Sequence, residues 1–225
     1  MLTMLKKTLL LMACAVALLA FDARPAQAYS FNLTTGNSAI SPYPGPYATV
    51  VVNAVNSTTA TITFTALDSS NNLYSYLFGD GGSVGVNVNS TNFTVSGATC
   101  IATFTTCTIL NTSGGGSEDG FGNFNYSMNL FDGYTNTATQ ISFTLTNNSG
   151  TWLLDGSNVL TANSNGALAA AHIFVADGAT PNPNTPALAT GYAANGGSQV
   201  PDGGMTISLL GLALAGMGLG ARRKN

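Results

Sequence analysis

Ala60-Thr61-Ile62-Thr63-Phe64-Thr65-Ala66 is the stretch whose reading decides the fold class. Apolar and hydroxyl side chains alternate along it without a break. Only a strand, whose side chains point to opposite faces in turn, converts that period of two into one apolar and one polar face. The period recurs. Phe124, Tyr126, Met128 and Leu130 alternate with Asn123, Asn125, Ser127 and Asn129. Ile141, Phe143 and Leu145 alternate with Gln140, Ser142, Thr144 and Thr146, and Val84, Val86 and Val88 flank Gly85 and Asn87. Residues 47–55, 73–78, 92–96, 100–110 and 172–176 read as further strands. Clusters of turn residues separate them, among them Gly79-Asp80-Gly81-Gly82, Asp132-Gly133 and Asp155-Gly156. Helical periodicity is scarce and predicts one short turn over 166–171. Many short strands at this spacing predict an all-β fold, an antiparallel β-sandwich or jelly roll.

The polar faces of these strands carry almost no charge. Charged residues make up 7% of the 225 residues, and the formal net charge is −3. All six cations lie near the ends: Lys6, Lys7, Arg24, Arg222, Arg223 and Lys224. Between Tyr29 and Val200 there are seven acids and no cation, so that stretch carries −7, and 66 of its 172 residues are Ser, Thr or Asn. A body without Lys or Arg cannot neutralise a phosphate backbone, which excludes nucleic acid as a partner. No glycine-rich phosphate loop with a lysine is present either.

The two ends read as addresses. Lys6 and Lys7 precede an apolar run from Thr8 to Phe21, and Ala26-Gln27-Ala28 matches a small-x-small cleavage site. Residues 1–28 are therefore expected to be a signal peptide, with the mature chain starting at Tyr29. At the other end, a flexible linker over 195–199 leads to Val200-Pro201-Asp202-Gly203-Gly204. An apolar segment from Thr206 to Ala221 follows, closed by Arg222-Arg223-Lys224. This is the pattern of a short transmembrane helix with a stop-transfer end that stays on the cytoplasmic side. Roughly 16 residues at ~1.5 Å each reach about 24 Å, short of the ~30 Å hydrocarbon core, which suits a temporary hold.

This tripartite tail, 200–225, resembles the PEP-CTERM sorting signal in its Val-Pro-Asp-Gly-Gly variant. Asp202 stands where the eponymous motif has Glu, and Gly203 where it has Pro. The resemblance covers about a tenth of the chain. It implies processing near the motif by an exosortase, a membrane-embedded cysteine transpeptidase, and delivery to the cell surface or extracellular matrix. The chain would then be membrane-held only before processing. The Ser/Thr/Asn-rich, lysine-free body at 29–194 is similar to the bodies that carry such tails.

Within the body the chemistry-bearing residues are few. Cys100 and Cys107 form an even pair in an exported chain and are expected to join as a disulfide that closes a small loop and pins a tight hairpin through Ile101 to Thr106, with two buried thiols as the alternative. Gly79-Asp80-Gly81-Gly82 and Ser117-Glu118-Asp119-Gly120 are acidic and glycine-rich but match no calcium-loop pattern, and read as hairpin turns. His172, the lone histidine, precedes Ile173-Phe174-Val175 and reads as a hydrogen-bonded strand residue. No catalytic motif, cofactor motif or metal-ligand spacing is present, and Glu118 is the body's one glutamate, against the two positioned carboxylates of glycoside hydrolysis. Tyr43, Tyr47, Tyr74, Tyr76, Tyr134 and Trp152 are either core rings or a stacking platform for sugars. These features lead to the expectation of a structural or adhesive protein in an exopolysaccharide matrix, then of a carbohydrate-binding module, then of a glycoside hydrolase.

Overall fold

The computed structural model describes residues 28–111 and 114–195. Ala26, the motif from Val200 to Gly204 and the cations Arg222, Arg223 and Lys224 lie outside the described residues. Within them the chain is all-β and antiparallel throughout, as the period of two predicts. The strands are β1 (Tyr29–Leu33), β2 (Thr35–Gly36), β3 (Ala48–Ala54), β4 (Thr59–Ala66), β5 (Tyr74–Phe78), β6 (Val84–Val86) and β7 (Phe93–Ala102). They continue with β8 (Ile109–Asn111), β9 (Gly116–Glu118), β10 (Gly122–Phe124), β11 (Tyr126–Leu130), β12 (Ala138–Asn147), β13 (Ala169–Asp177) and β14 (Ala189–Asn195). One 3₁₀ turn spans Tyr134–Asn136. Among the described residues no helix is long and apolar enough to cross a membrane.

Hydrogen-bonded neighbours resolve into two layers in a sandwich-like arrangement. The first has the order β1-β3-β4-β12-β7. The second is centred on β13, which pairs with β14 along one edge and with β5 and β6 end to end along the other. β2 extends it beyond β14, and β11 then β8 extend it beyond β6. The layers meet at a corner where Ala138 of β12 pairs with Phe78 of β5. Between them lies one apolar core, with Val50, Ile62, Phe64, Ile141 and Phe143 from the first layer facing Tyr76, Val84, Tyr126, Met128 and Ile173 from the second. The first-layer rows are the apolar halves of strands buried on one face, so closing the layers removes large apolar surfaces from water.

The second layer is covered on its outer side as well. Ala170, Phe174 and Ala176 of β13 are buried there, and so is Leu77 of β5. β13 accordingly shows buried residues on both faces instead of an alternation. The cover is made of two parts. The β9–β10 hairpin sets Phe124 against Ala167, Ala170 and Ala194. Phe104 and Tyr134 set their rings beside Phe174 and Leu77.

Three local readings are corrected. Residues 169–171, expected in a helical turn, belong to β13, and the turn before them is made by Gly166 at φ +84°. Phe124 does not continue the row of Tyr126, Met128 and Leu130. The strand breaks at Asn125, whose Oδ1 accepts from the Val88 amide at 2.7 Å while its Nδ2 donates to the Val88 carbonyl at 2.8 Å. That fixed kink sends Phe124 to the outer side and Tyr126 to the core. Residues 92–96 and the start of 100–110 form one strand, β7, which slips register between Ser142 and Thr144 of its partner, beside Gly97 at φ +61°.

Candidate functional site

The aromatic residues sort by what they touch. Tyr47, Tyr76 and Trp152 are 2%, 1% and 3% exposed and belong to the core. Their polar tips are satisfied by backbone: the Tyr47 hydroxyl donates to the Tyr43 carbonyl at 2.7 Å, the Tyr76 hydroxyl to the Pro44 carbonyl, and Trp152 Nε1 to the Asn89 carbonyl at 3.0 Å. Burial pushes the Tyr76 hydroxyl up to about 12, with Tyr47 and Tyr74 adding to the effect. Tyr43 and Tyr74 meet edge to face at 5.0 Å, half-buried against the core. Tyr47, Tyr76 and Trp152 hold the fold together, and Tyr43 and Tyr74 pack against them as a pair.

Tyr134 is different. It stands at the head of the 3₁₀ turn, wedged beside Phe104 at 5.3 Å and Phe174 at 5.9 Å between ring centroids. Part of it lines an open cleft of about 210 Å³ with Asp177, Asn182, Thr185 and Pro186. The loop on the far side is shaped by the Asn182 side chain, which accepts from the Asn184 amide at 2.9 Å. The cleft thus combines one ring, one carboxylate, an amide and a hydroxyl, on the scale of a single sugar ring.

The outer face of the first layer has another chemistry. Across its five strands it presents Ser30 and Asn32, then Thr49, Val51 and Asn53, then Thr61, Thr63 and Thr65, then Gln140, Ser142, Thr144 and Thr146, then Thr94, Ser96, Thr99 and Ile101. No member is ionisable, although charged groups ordinarily form about a quarter of a soluble protein. Neighbours across strands bond one another: Thr63 and Ser142 hydroxyls lie 3.0 Å apart, Gln140 Nε2 donates to Thr65 at 3.3 Å, and the Thr49 hydroxyl donates to Asn32 Oδ1 at 2.8 Å. The result is a wide, uncharged surface of donors and acceptors held at strand spacing, ~4.8 Å between strands and ~6.8 Å along them.

Asp80, Glu118, Asp119 and the histidine lie on the second layer instead. Asp80, at φ 58°, turns the chain between β5 and β6 and accepts from the Gly133 amide at 2.6 Å. His172 Nε2 bonds the Thr190 hydroxyl at 2.8 Å, and its ring stacks on Tyr192 at 4.5 Å. Burial pushes its imidazole below the ordinary value, against the opposing pull of Asp80. It is a strand residue braced on both sides. Tyr192 donates to the Gly81 carbonyl at 2.9 Å, and its hydroxyl is pushed up to about 12 by burial and by Glu118, Asp80 and Asp119.

Glu118 is the feature that turn-like composition concealed. It is 1% exposed and tucked under the β9–β10 hairpin, while its neighbour Asp119 faces out and accepts from Asn37 at 3.2 Å. The Ser127 hydroxyl donates to Glu118 Oε1 at 2.9 Å, and Oε2 has no partner. Burial raises its carboxyl to about 7, the Ser127 bond offsetting part of the rise. Among the described residues no three His, Cys, Asp or Glu converge as metal ligands. Cys100 and Cys107 are joined by a disulfide with Cα atoms 6.3 Å apart. It does not pin a hairpin, because β8 pairs with β11 and not with β7; it closes the loop between them. No family model, curated protein or solved structure matches the chain.

Proposed function

We propose that this chain is an exported protein, sorted by an exosortase through its tail at 200–225 and deployed at the cell surface or in the extracellular matrix. There its role is structural or adhesive, within neutral exopolysaccharide, and it catalyses no reaction. One observation carries the reading: the five-stranded outer face, hydroxyls and amides apart from Val51 and Ile101, without a single charge. A neutral polysaccharide is a chain of hydroxyls. Each bond it makes with Thr, Ser, Asn or Gln replaces a bond to water and nets only about 0.5–1.5 kcal/mol. A wide array makes many at once, and tethering turns later contacts into intramolecular ones. Acidic polymers are repelled by a body of −7.

Two measurements test this. The intact mass of the secreted protein should equal a chain starting at Tyr29, lacking the segment beyond the sorting motif, with Cys100 and Cys107 oxidised. A full-length mass from the membrane fraction of a sorting-competent host contradicts sorting. For adhesion, the secreted protein should be retarded by a neutral glucan in affinity electrophoresis and pass freely through an acidic one. Asn53→Glu with Ser96→Glu adds two charges at exposed positions on the face and should cut retention at least tenfold, with the melting temperature unchanged. Equal retention of the variant removes the face from the account.

The cleft at Tyr134 favours a second reading, a carbohydrate-binding module that grips one sugar unit. Tyr134→Ala then abolishes retention and the charged face leaves it intact, the reverse of the first pattern. A glycoside hydrolase is the third reading. Asp177 is the single carboxylate among the cleft residues, where hydrolysis needs two.

A further inference from the structure

The β9–β10 hairpin belongs to neither layer. Its strands pair only with each other, so no backbone ladder joins it to the face it covers. It is held by Asn163 Nδ2, which donates to the Phe121 and Asn123 carbonyls at 2.9 and 3.1 Å, by Asn37 Nδ2, which donates to Asp119 at 3.2 Å, by the Phe124 ring, and by Glu118 beneath it. The floor under Glu118 is cut to receive it. A Cβ on Gly82 would stand 2.1 Å from Glu118 Oε2, and one on Gly85 2.9 Å from Oε1. We propose that this hairpin is a proton-held cover: it closes over the second layer while Glu118 is neutral, and loss of the Glu118 proton releases it from the small-residue floor of Gly82, Gly85, Ala170 and Ala194.

The physical reason is the absence of any counter-charge. A buried carboxylate needs a cation or two to three donors. Glu118 has one donor, and the body holds no Lys or Arg. The ionisable groups on the elements packed around it are Tyr192 on β14, His172 on β13, Asp80 in the β5–β6 turn and Asp119 at its side; none supplies a positive charge near neutrality. The closed state therefore keeps the proton that the open, solvated state gives up. The sign follows from linkage. The carboxyl lies at about 7 when closed and near 4.5 when free, so closure is fully favoured below 4.5 and weakens as pH rises, levelling off above about 7. The outer face of the second layer would thus be presented in neutral to alkaline surroundings and hidden in acidic ones.

Hydrogen exchange of the exported protein tests it, read at residues 116–124 and corrected for the intrinsic pH dependence of exchange. Between pH 5 and pH 8 the opening equilibrium should rise on the order of 50-fold, while amides in β4 and β12 keep their protection. Glu118→Gln, which cannot ionise, should hold the hairpin shut at both pH values. Asn163→Ala should loosen it at both and leave the pH dependence in place. Hairpin protection that is equal at pH 5 and 8 in the native protein, or a pH dependence that persists in Glu118→Gln, overturns the proposal.

Discussion

Phe143→Ala should destabilise the molecule by about 3–5 kcal/mol, a large part of the ~5–15 kcal/mol that holds a domain folded. The ring is 1% exposed and sits at the contact between layers. It stacks on Phe64 of the neighbouring strand at 6.4 Å and meets Tyr126 of the opposite layer at 5.0 Å. Truncation leaves a cavity between Phe64 and Tyr126 that the surrounding side chains can fill only in part. Phe143→Leu fills most of that space and should lose roughly 1 kcal/mol. Denaturant midpoints of the two variants measure this directly. A loss below about 1 kcal/mol for alanine would mean that the layers are not packed through this ring.

Gly82→Ala should be nearly as damaging for a different reason, at about 3 kcal/mol. Gly82 has φ +64°, a left-handed conformation that costs an alanine roughly 1–2 kcal/mol by itself. Its new Cβ would also stand 2.1 Å from Glu118 Oε2 and 2.8 Å from the carboxyl carbon. Relief requires the Glu118 side chain to shift within its enclosure. Gly82 is fixed by its amide, which donates to Asn129 Oδ1 at 2.7 Å, and Glu118 is enclosed by the hairpin that carries it. In a Glu118→Ala background the clash is gone and only the backbone cost remains, so the same substitution should cost about 1–2 kcal/mol. Unfolding at pH 5, where Glu118 is neutral in the native protein, isolates the steric effect. Equal costs in both backgrounds would show that the two residues do not meet.

How far these features can be read from the chain alone depends on which face of each strand is covered. β4 and β12 are bare on one side, and their period of two is plain in the sequence. β13 is covered on both sides, so Ala169-Ala170-Ala171 loses its alternation and reads as a turn of helix. β14 has only small apolar residues and a glycine, and gives no strand signal of its own. Phe124 fits the row of Tyr126, Met128 and Leu130 perfectly, yet the side chain of Asn125 reaches across to Val88 and flips it to the other face. The candidate surfaces divide in the same way. The charge-free row of Thr, Ser, Asn and Gln is visible residue by residue, whereas its joining into one face depends on strand order. The cleft at Tyr134 needs a loop from residues 182–186, far along the chain.

The sequence by itself determined the class of fold and the charge of the body, because each depends on residues adjacent in the chain or on composition. Tertiary structure alone decided which rings are core, which strands form the uncharged face, and that Glu118 lies buried without a counter-ion. Burial is set by partners distant in sequence: Gly82 comes from the β5–β6 turn, Gly85 and Ser127 from other strands, and no local pattern around Ser117-Glu118-Asp119-Gly120 distinguishes a carboxylate in a surface turn from one sealed beneath it.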